Sequence, residues 1–116
     1  MTNSDYWQAL DDLVATCKLV VDRPKGSAHP RFPSFIYPLD YGYLDGTSAM
    51  DGGGIDVWVG SLPDRTFNAI VCTVDLSKND AEVKLMLGCS EEDIALILEV
   101  LNVGPMSAIA VRRPDR

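Results

Sequence analysis

The chain has 116 residues, of which 47% are hydrophobic and 23% are charged, and its formal net charge is −7 at pH 7. These values predict one globular domain, residues 1–116, and no apolar run is long enough to span a membrane. The acidic balance disfavours nucleic acid as a partner because both carry negative charge. Any phosphate ligand would need divalent cations between itself and the carboxylates.

Targeting and cysteine patterns indicate a cytoplasmic protein. The first five residues lack the basic and apolar regions of a signal peptide, so secretion is not expected. Cys17, Cys72 and Cys89 are far apart and form no C-x-x-C pair. This pattern disfavours both a disulfide framework and a thiolate zinc site.

Hydrophobic periodicity and turn residues predict two helices and six strands. Tyr6, Leu10, Leu13 and Val14 repeat with helical spacing, and residues 24–36 contain the prolines of a loop. In chain order, the predicted elements are a helix at 4–16, strands at 17–22, 41–44, 55–60, 66–74 and 82–88, a helix at 90–102 and a strand at 106–112. Short strands joined by tight turns favour a mainly β (α+β) fold, a small antiparallel barrel with the helices on its outside.

Five aspartates lie at predicted strand ends or in the adjoining loops: Asp22, Asp51, Asp56, Asp75 and Asp80. If the fold brings these ends together, the carboxylates repel one another and remain ionised only around cations or protons. Simpler interpretations remain open for three of them. Asp51 fits a turn residue, and Asp75 and Asp80 fit the solvated acids of a hairpin.

Asp56 is harder to explain as a surface residue. It shares a strand face with Trp58, whereas Ile55, Val57 and Val59 occupy the other face. A half-buried carboxylate is costly unless it is paired or binds a metal ion. Asp56 is therefore the strongest candidate for a functional acid.

Three sequence blocks together resemble the soluble family I inorganic pyrophosphatases. Residues 22–27 read D-R-P-K-G-S where the family has E-I-P-K-G-S. Residues 37–43 read Y-P-L-D-Y-G-Y for Y-P-x-D-Y-G-[FY], and residues 51–57 read D-G-G-G-I-D-V for D-[GSDN]-D-[PE]-[LIVM]-D-[LIVMGAC]. The likeness covers residues 20–61 and extends loosely through residues 75–84, which are similar to the family's D-x-x-G-E-D-A-K segment.

The resemblance implies an OB-like barrel that binds Mg²⁺, or Mn²⁺, and hydrolyses pyrophosphate with a metal-bound water. It implies that Asp51, Asp56 and Asp80 hold one metal ion, and that Asp75 and Asp80 hold another together with Asp22. Asp51 and Asp56 would thus belong to the catalytic set.

The resemblance also implies a set of substrate-binding residues. Tyr41 would contact a phosphate oxygen and complete the catalytic set, and Tyr37 in the same block is a weaker candidate. Lys25, Arg31 and Lys84 would bind pyrophosphate. A homo-oligomer is expected, without a nucleic-acid or membrane partner.

Several departures from the family pattern bear on catalysis. Gly53 stands where the family has the aspartate that orients the attacking water, and Gly54 replaces the next proline or glutamate. The segment after Ser27 is shorter than in the family and lacks a glutamate and an arginine. Asp80-Ala81-Glu82 stands where D-A-K is expected, so that Lys84 is the nearest lysine.

Three functions are consistent with these observations. The first is a divergent pyrophosphatase, favoured by the retained carboxylates. The second is a metal- or phosphate-binding module without turnover, favoured by Gly53 and the shortened basic loop. The third is a structural or oligomeric protein, in which Tyr6, Trp7, Leu10 and Leu13 of the first helix supply the subunit contact.

Overall fold

The computed structural model describes residues 3–49 and 52–114, with side chains from residue 5 onward. The two helices and six strands predicted from the sequence are all present, in the predicted order. The elements are α1 (Asn3–Thr16), β1 (Leu19–Arg23), β2 (Asp40–Leu44), β3 (Ile55–Val59), β4 (Phe67–Asp75), β5 (Asp80–Leu87), α2 (Glu91–Leu101) and β6 (Met106–Arg112).

All six strands belong to one sheet, in the order β1-β2-β3-β5-β4-β6. Each neighbouring pair is antiparallel except β3 and β5, which are parallel. The mainly β (α+β) class and both predicted helices are confirmed. The expected barrel differs from the structure, because within the described residues β1 and β6 are the two edges of an open, mixed sheet.

Helices on both faces explain why the sheet need not close on itself. α1 covers a face centred on Leu44, Val57, Phe67 and Leu85, and α2 covers the opposite face. Each apolar face is thus buried by a helix rather than by strands from the far edge. The predicted alternation in β3 is confirmed: Val57 packs toward α1 and Trp58 toward α2.

Three of the four side chains of α1 predicted as an oligomer contact also pack against the sheet within the chain. Trp7 is buried with its ring centroid 5.4 Å from that of Phe67, and Leu10 and Leu13 lie against the same cluster. Tyr6 is the member of that set left substantially exposed. Trp7 is therefore used within the chain, whereas Tyr6 leaves an exposed ring on α1.

Gly42 in the middle of β2 allows β1 to approach closely. A Cβ atom at this position would lie 1.8 Å from the backbone oxygen of Val20. The register of β1 against β2 shifts between Val21 and Arg23, so the two backbones are drawn together at this bulge. The close approach of β1 therefore requires glycine at position 42.

α2 begins after Ser90, which forms a reciprocal capping box with Asp93. It ends before Asn102, whose amide has two tasks. Nδ2 donates to the oxygens of Leu98 and Ala108 at 2.9 and 3.2 Å, and Oδ1 accepts from the Ala108 N–H at 2.9 Å. Asn102 therefore ties the end of α2 to the outer edge of β6.

No helix within the described part of the chain is long and apolar enough to cross a membrane.

Candidate functional site

The sheet face under α2 contains a buried lysine bonded to three oxygen atoms. The Nζ atom of Lys84 lies 2.9 Å from Tyr41 Oη, 2.9 Å from Asp56 Oδ2 and 3.0 Å from Glu82 Oε2. An ammonium group has three protons to donate, so these acceptors use all of them. We call these four residues the lysine cluster.

Strand register explains why residues distant in sequence meet in the lysine cluster. Tyr41 pairs with Trp58 across β2 and β3, and Trp58 pairs with Met86 across β3 and β5. Alternate residues of a strand share a sheet face. Asp56, two residues before Trp58, and Lys84, two residues before Met86, therefore lie on this face as neighbours of the Tyr41–Trp58–Met86 row. The parallel β3–β5 pairing therefore brings two separate sequence blocks together.

Opposite charge within the cluster outweighs the cost of burying the ammonium. The Lys84 side chain is only 10% exposed, and burial alone would lower its pKa. The nearby Tyr41 and Asp56 raise the pKa of Lys84 above its ordinary value. Burial raises the pKa of Tyr41, so its phenol stays neutral at pH 7 while Lys84 stays charged.

A series of aromatic rings runs from the lysine cluster into the loop before β2. The ring of Tyr41 lies 4.6 Å from Trp58 and 5.3 Å from Tyr37 between centroids. His29 stacks parallel to Tyr37 at 6.3 Å. Its Nδ1 accepts hydrogen bonds from the backbone N–H groups of Arg31 and Phe32, so this nitrogen carries no proton.

His29 also marks a concentration of positive charge. Burial and then the charges of Arg23, Lys78 and Arg31 lower the pKa of His29. Although His29 belongs to a loop, its ring is half-buried in the aromatic series. The local density of aromatic residues is the only sequence signal for that packing.

Asp75 and Asp80 face each other across the β4–β5 hairpin, and we call them the hairpin acids. They belong to strands β4 and β5, whereas the sequence predicts a loop over 75–80. Asp75 Oδ1 accepts from Ser77 N at 2.9 Å and from Ser77 Oγ at 2.6 Å. These hydrogen bonds lower the pKa of Asp75 and keep it ionised.

The hairpin acids and the lysine cluster share one sheet face. Asp80, Glu82 and Lys84 alternate along β5, and Asp75 is the direct partner of Asp80. The structure thus places three predicted site residues of β4 and β5 in one row. Glu82, which the sequence motif does not single out, joins them.

The other predicted site residues are exposed or lie outside the described residues. Asp51 lies outside them. Asp22 is exposed beside Arg23, with 3.8 Å between the charged atoms. Lys25 is exposed and donates its backbone N–H to Asp40 Oδ1 at 2.8 Å, and Arg31 is exposed in the same loop.

The carboxylates of this sheet face could bind a hard cation such as Mg²⁺ only singly or in pairs. Among residues 5–49 and 52–114, no group of three or more histidine, cysteine, aspartate or glutamate side chains is arranged to hold a metal ion. Mg²⁺ is ordinarily bound by one or two carboxylates together with waters and phosphate oxygens. The hairpin acids fit that donor set, whereas Asp56 and Glu82 already share the ammonium of Lys84.

Comparison of the chain with protein-family models, curated proteins and solved structures found no significant match.

Proposed function

We propose that this chain is a pyrophosphatase-like hydrolase that uses Mg²⁺ or Mn²⁺ to cleave pyrophosphate into two phosphates. One observation carries the proposal: side chains from separate sequence blocks lie on a single sheet face. Tyr41, Asp56 and Lys84 are in direct contact there, and the hairpin acids continue the same row. Each of these positions was selected from the sequence by its likeness to one enzyme family.

The hairpin acids are the proposed ligands of the metal ion, with Asp51 as a further candidate from the sequence. A bound divalent cation lowers the pKa of water and screens the charge of pyrophosphate. The hydroxyl of Tyr41 accepts a hydrogen bond from the Lys84 ammonium, and in this proposal it donates its own proton to a phosphate oxygen when substrate binds. Its raised pKa keeps it a neutral donor over the working pH range.

Positive side chains around His29 would hold the departing phosphate. The charges of Arg23, Arg31 and Lys78 all act on the His29 ring, so these three cations lie near one another around it. In this proposal, such a group of cations offsets the net charge of −7, which would otherwise repel a polyanion. Gly53 supplies no side chain, so the attacking water has no aspartate at that position to orient it.

Phosphate release from pyrophosphate tests the proposal directly. Release should depend on Mg²⁺ or Mn²⁺, and Asp80→Asn should reduce the rate by about 10²-fold or more. Asp64→Asn makes the same chemical change at an exposed residue away from the row and should leave the rate unchanged. Folded wild-type protein that releases no phosphate with either metal ion would refute the proposal.

Gly53→Asp examines the departure from the family pattern. Returning a carboxylate to this position should raise the metal-dependent rate, because a general base typically contributes about 10²–10⁴-fold. Gly52→Asp is a poor control because Gly52 has a φ of +87°. Asp45→Asn is a better one, since it alters an exposed carboxylate outside the row. An unchanged rate in Gly53→Asp would show that the water is oriented by other groups.

A binding module without turnover is the second candidate function. It is favoured by the saturated ammonium of Lys84, which has no proton left for a phosphate oxygen in this arrangement. Calorimetric titration with Mn²⁺ and with phosphate separates the two functions. Binding without any phosphate release would identify the module.

A further inference from the structure

We infer that the Lys84 ammonium is the permanent cation of Asp56 and Glu82, so that a divalent metal ion does not bind between these two carboxylates while Lys84 is present. The inference rests on the proposed function only in taking divalent cations as ligands of this sheet face. It departs from the resemblance, which implies that Asp56 is a metal ligand.

The charges of the cluster disfavour a second cation between the two carboxylates. Lys84 Nζ lies within 3.0 Å of both carboxylates and of the Tyr41 hydroxyl. A divalent ion placed between Asp56 and Glu82 would sit within a few ångströms of the ammonium, where like charges repel strongly in a shielded site. Binding there would therefore require Lys84 to leave.

Lys84 has no easy way to leave. Its side chain is 10% exposed, and those of Asp56 and Glu82 are 29% and 18% exposed. The ring of Tyr41 lies 5.5 Å from the ammonium and adds a cation–π contact. Moving the ammonium would break three short contacts and leave two partly buried carboxylates without a counter-charge.

The position of Lys84 along β5 explains why its ammonium meets these two carboxylates. The resemblance implies a lysine at position 82, where this chain has glutamate. Because strand residues two apart share a face, Lys84 projects from the same face as Glu82. Acid and base therefore become neighbours on one strand, and the base reaches Asp56 on β3.

Metal binding should therefore be confined to the hairpin acids and any ligand near them. The lysine cluster becomes a fixed, singly negative group formed by one ammonium, two carboxylates and a neutral phenol. Its task is to position Tyr41, and the divalent ion acts elsewhere in the row. Lys84 is a positioning residue in this account.

Mn²⁺ binding to Lys84→Met provides the main test, measured by calorimetry at pH 7. Methionine keeps the side-chain length without the charge, so two unpaired carboxylates should form a new metal site. We expect one additional Mn²⁺ per chain, or affinity at least about tenfold tighter than in the wild type. Lys84→Arg keeps the charge and should gain nothing, and adding Asp56→Asn to Lys84→Met should abolish the gain.

A folded Lys84→Met protein that binds Mn²⁺ no better than the wild type overturns the inference. The single variant Asp56→Asn, which keeps Lys84, gives an independent measurement if Lys84→Met does not fold. Its Mn²⁺ affinity should stay within about twofold of the wild type, because Asp56 does not touch the metal ion. A tenfold or larger loss would show that Asp56 is a ligand with Lys84 in place.

The ammonium resonance of Lys84 can also be followed directly in the wild type by ¹⁵N NMR. Three short hydrogen bonds should slow its proton exchange, and Asp56→Asn assigns the signal by shifting it. Saturating Mg²⁺ should leave the wild-type signal in place. Its displacement by Mg²⁺ would contradict the inference. Phosphate release measured on the same samples tests the proposed function separately, since added Mn²⁺ binding without release supports the inference alone.

Discussion

The lysine cluster and the hairpin acids lie on the same sheet face, yet their carboxylates are neutralised in different ways. Asp56 and Glu82 share a buried ammonium at 2.9 and 3.0 Å. Asp75 is held by the hydroxyl and backbone N–H of Ser77, and within the described residues no salt bridge involves either hairpin acid. Carboxylates with their own cation are suited to structure, and those without one are suited to binding an external cation.

Removing the ammonium should have the largest effect on stability. Lys84→Met is expected to lower the free energy of unfolding by at most about 3–5 kcal/mol, because it leaves two partly buried carboxylates unpaired. Urea denaturation measures the change. Lys78→Met removes an exposed lysine beside the hairpin acids and should cost no more than about 0.5 kcal/mol. Equal losses in the two variants would erase the distinction between the clusters.

Removing the Tyr41 hydroxyl should have an intermediate effect. Tyr41→Phe leaves one ammonium proton of Lys84 without its acceptor in a shielded site, at an expected cost of about 1–3 kcal/mol. The same urea experiment measures it. Tyr43→Phe, the matched change on the same strand, should cost less, and the reverse order would mean that the phenol is not part of the cluster.

Loss of the Ser77 hydroxyl should affect the hairpin acids more modestly. Ser77→Ala removes the contact that holds the pKa of Asp75 low, so the pKa should rise toward the ordinary value of about 3.9. The low folded-state pKa stabilises the chain at pH values above the unfolded pKa. That contribution is lost as pH falls through the folded value.

NMR titration of the Asp75 carboxyl group measures the shift, and the free energy of unfolding at pH 7 should fall because a hydrogen bond to the carboxylate is lost. Ser48→Ala, at an exposed serine, serves as the control. An unchanged Asp75 titration would show that backbone N–H groups alone keep this carboxylate ionised.

The smallest expected effect is on the pH dependence of stability, through His29 and the cations that act on it. The pKa of His29 is below 6.5 in the folded chain, so the unfolded chain binds more protons just below neutral pH. Stability should therefore fall as pH drops from 7 to 5. His29→Asn preserves an acceptor for the backbone N–H groups and should flatten this part of the stability profile. An unaltered slope would mean that other groups cause the decline.

Most secondary structure was predictable because its signals are local. The cap at Ser90 and the apolar stripe of α2 define that helix, and β6 matches its predicted range of 106–112. The parallel pairing of β3 with β5 was not predictable, since it depends on which strands meet after the β4–β5 hairpin forms. Closure of the sheet was predicted wrongly for the same reason.

The candidate site was predicted in part. Likeness to a family selected Tyr41, Asp56 and Lys84 from different blocks, and the structure brings the three into contact. The sequence could not predict that the ammonium of Lys84 gives all its hydrogen bonds to this cluster, because those contacts require the parallel register that aligns β3 with β5. Glu82 was missed as a partner even though it shares a strand face with Lys84.

Asn102 has a consequence for contacts between molecules. Its amide occupies both the N–H and the C=O of Ala108 on the outward side of β6. An approaching strand from a neighbouring molecule would have to displace that amide before it could continue the ladder past this point. A single side chain at the end of a helix thus protects an otherwise apolar edge, with Ile109 64% exposed beside it, from sheet-to-sheet growth.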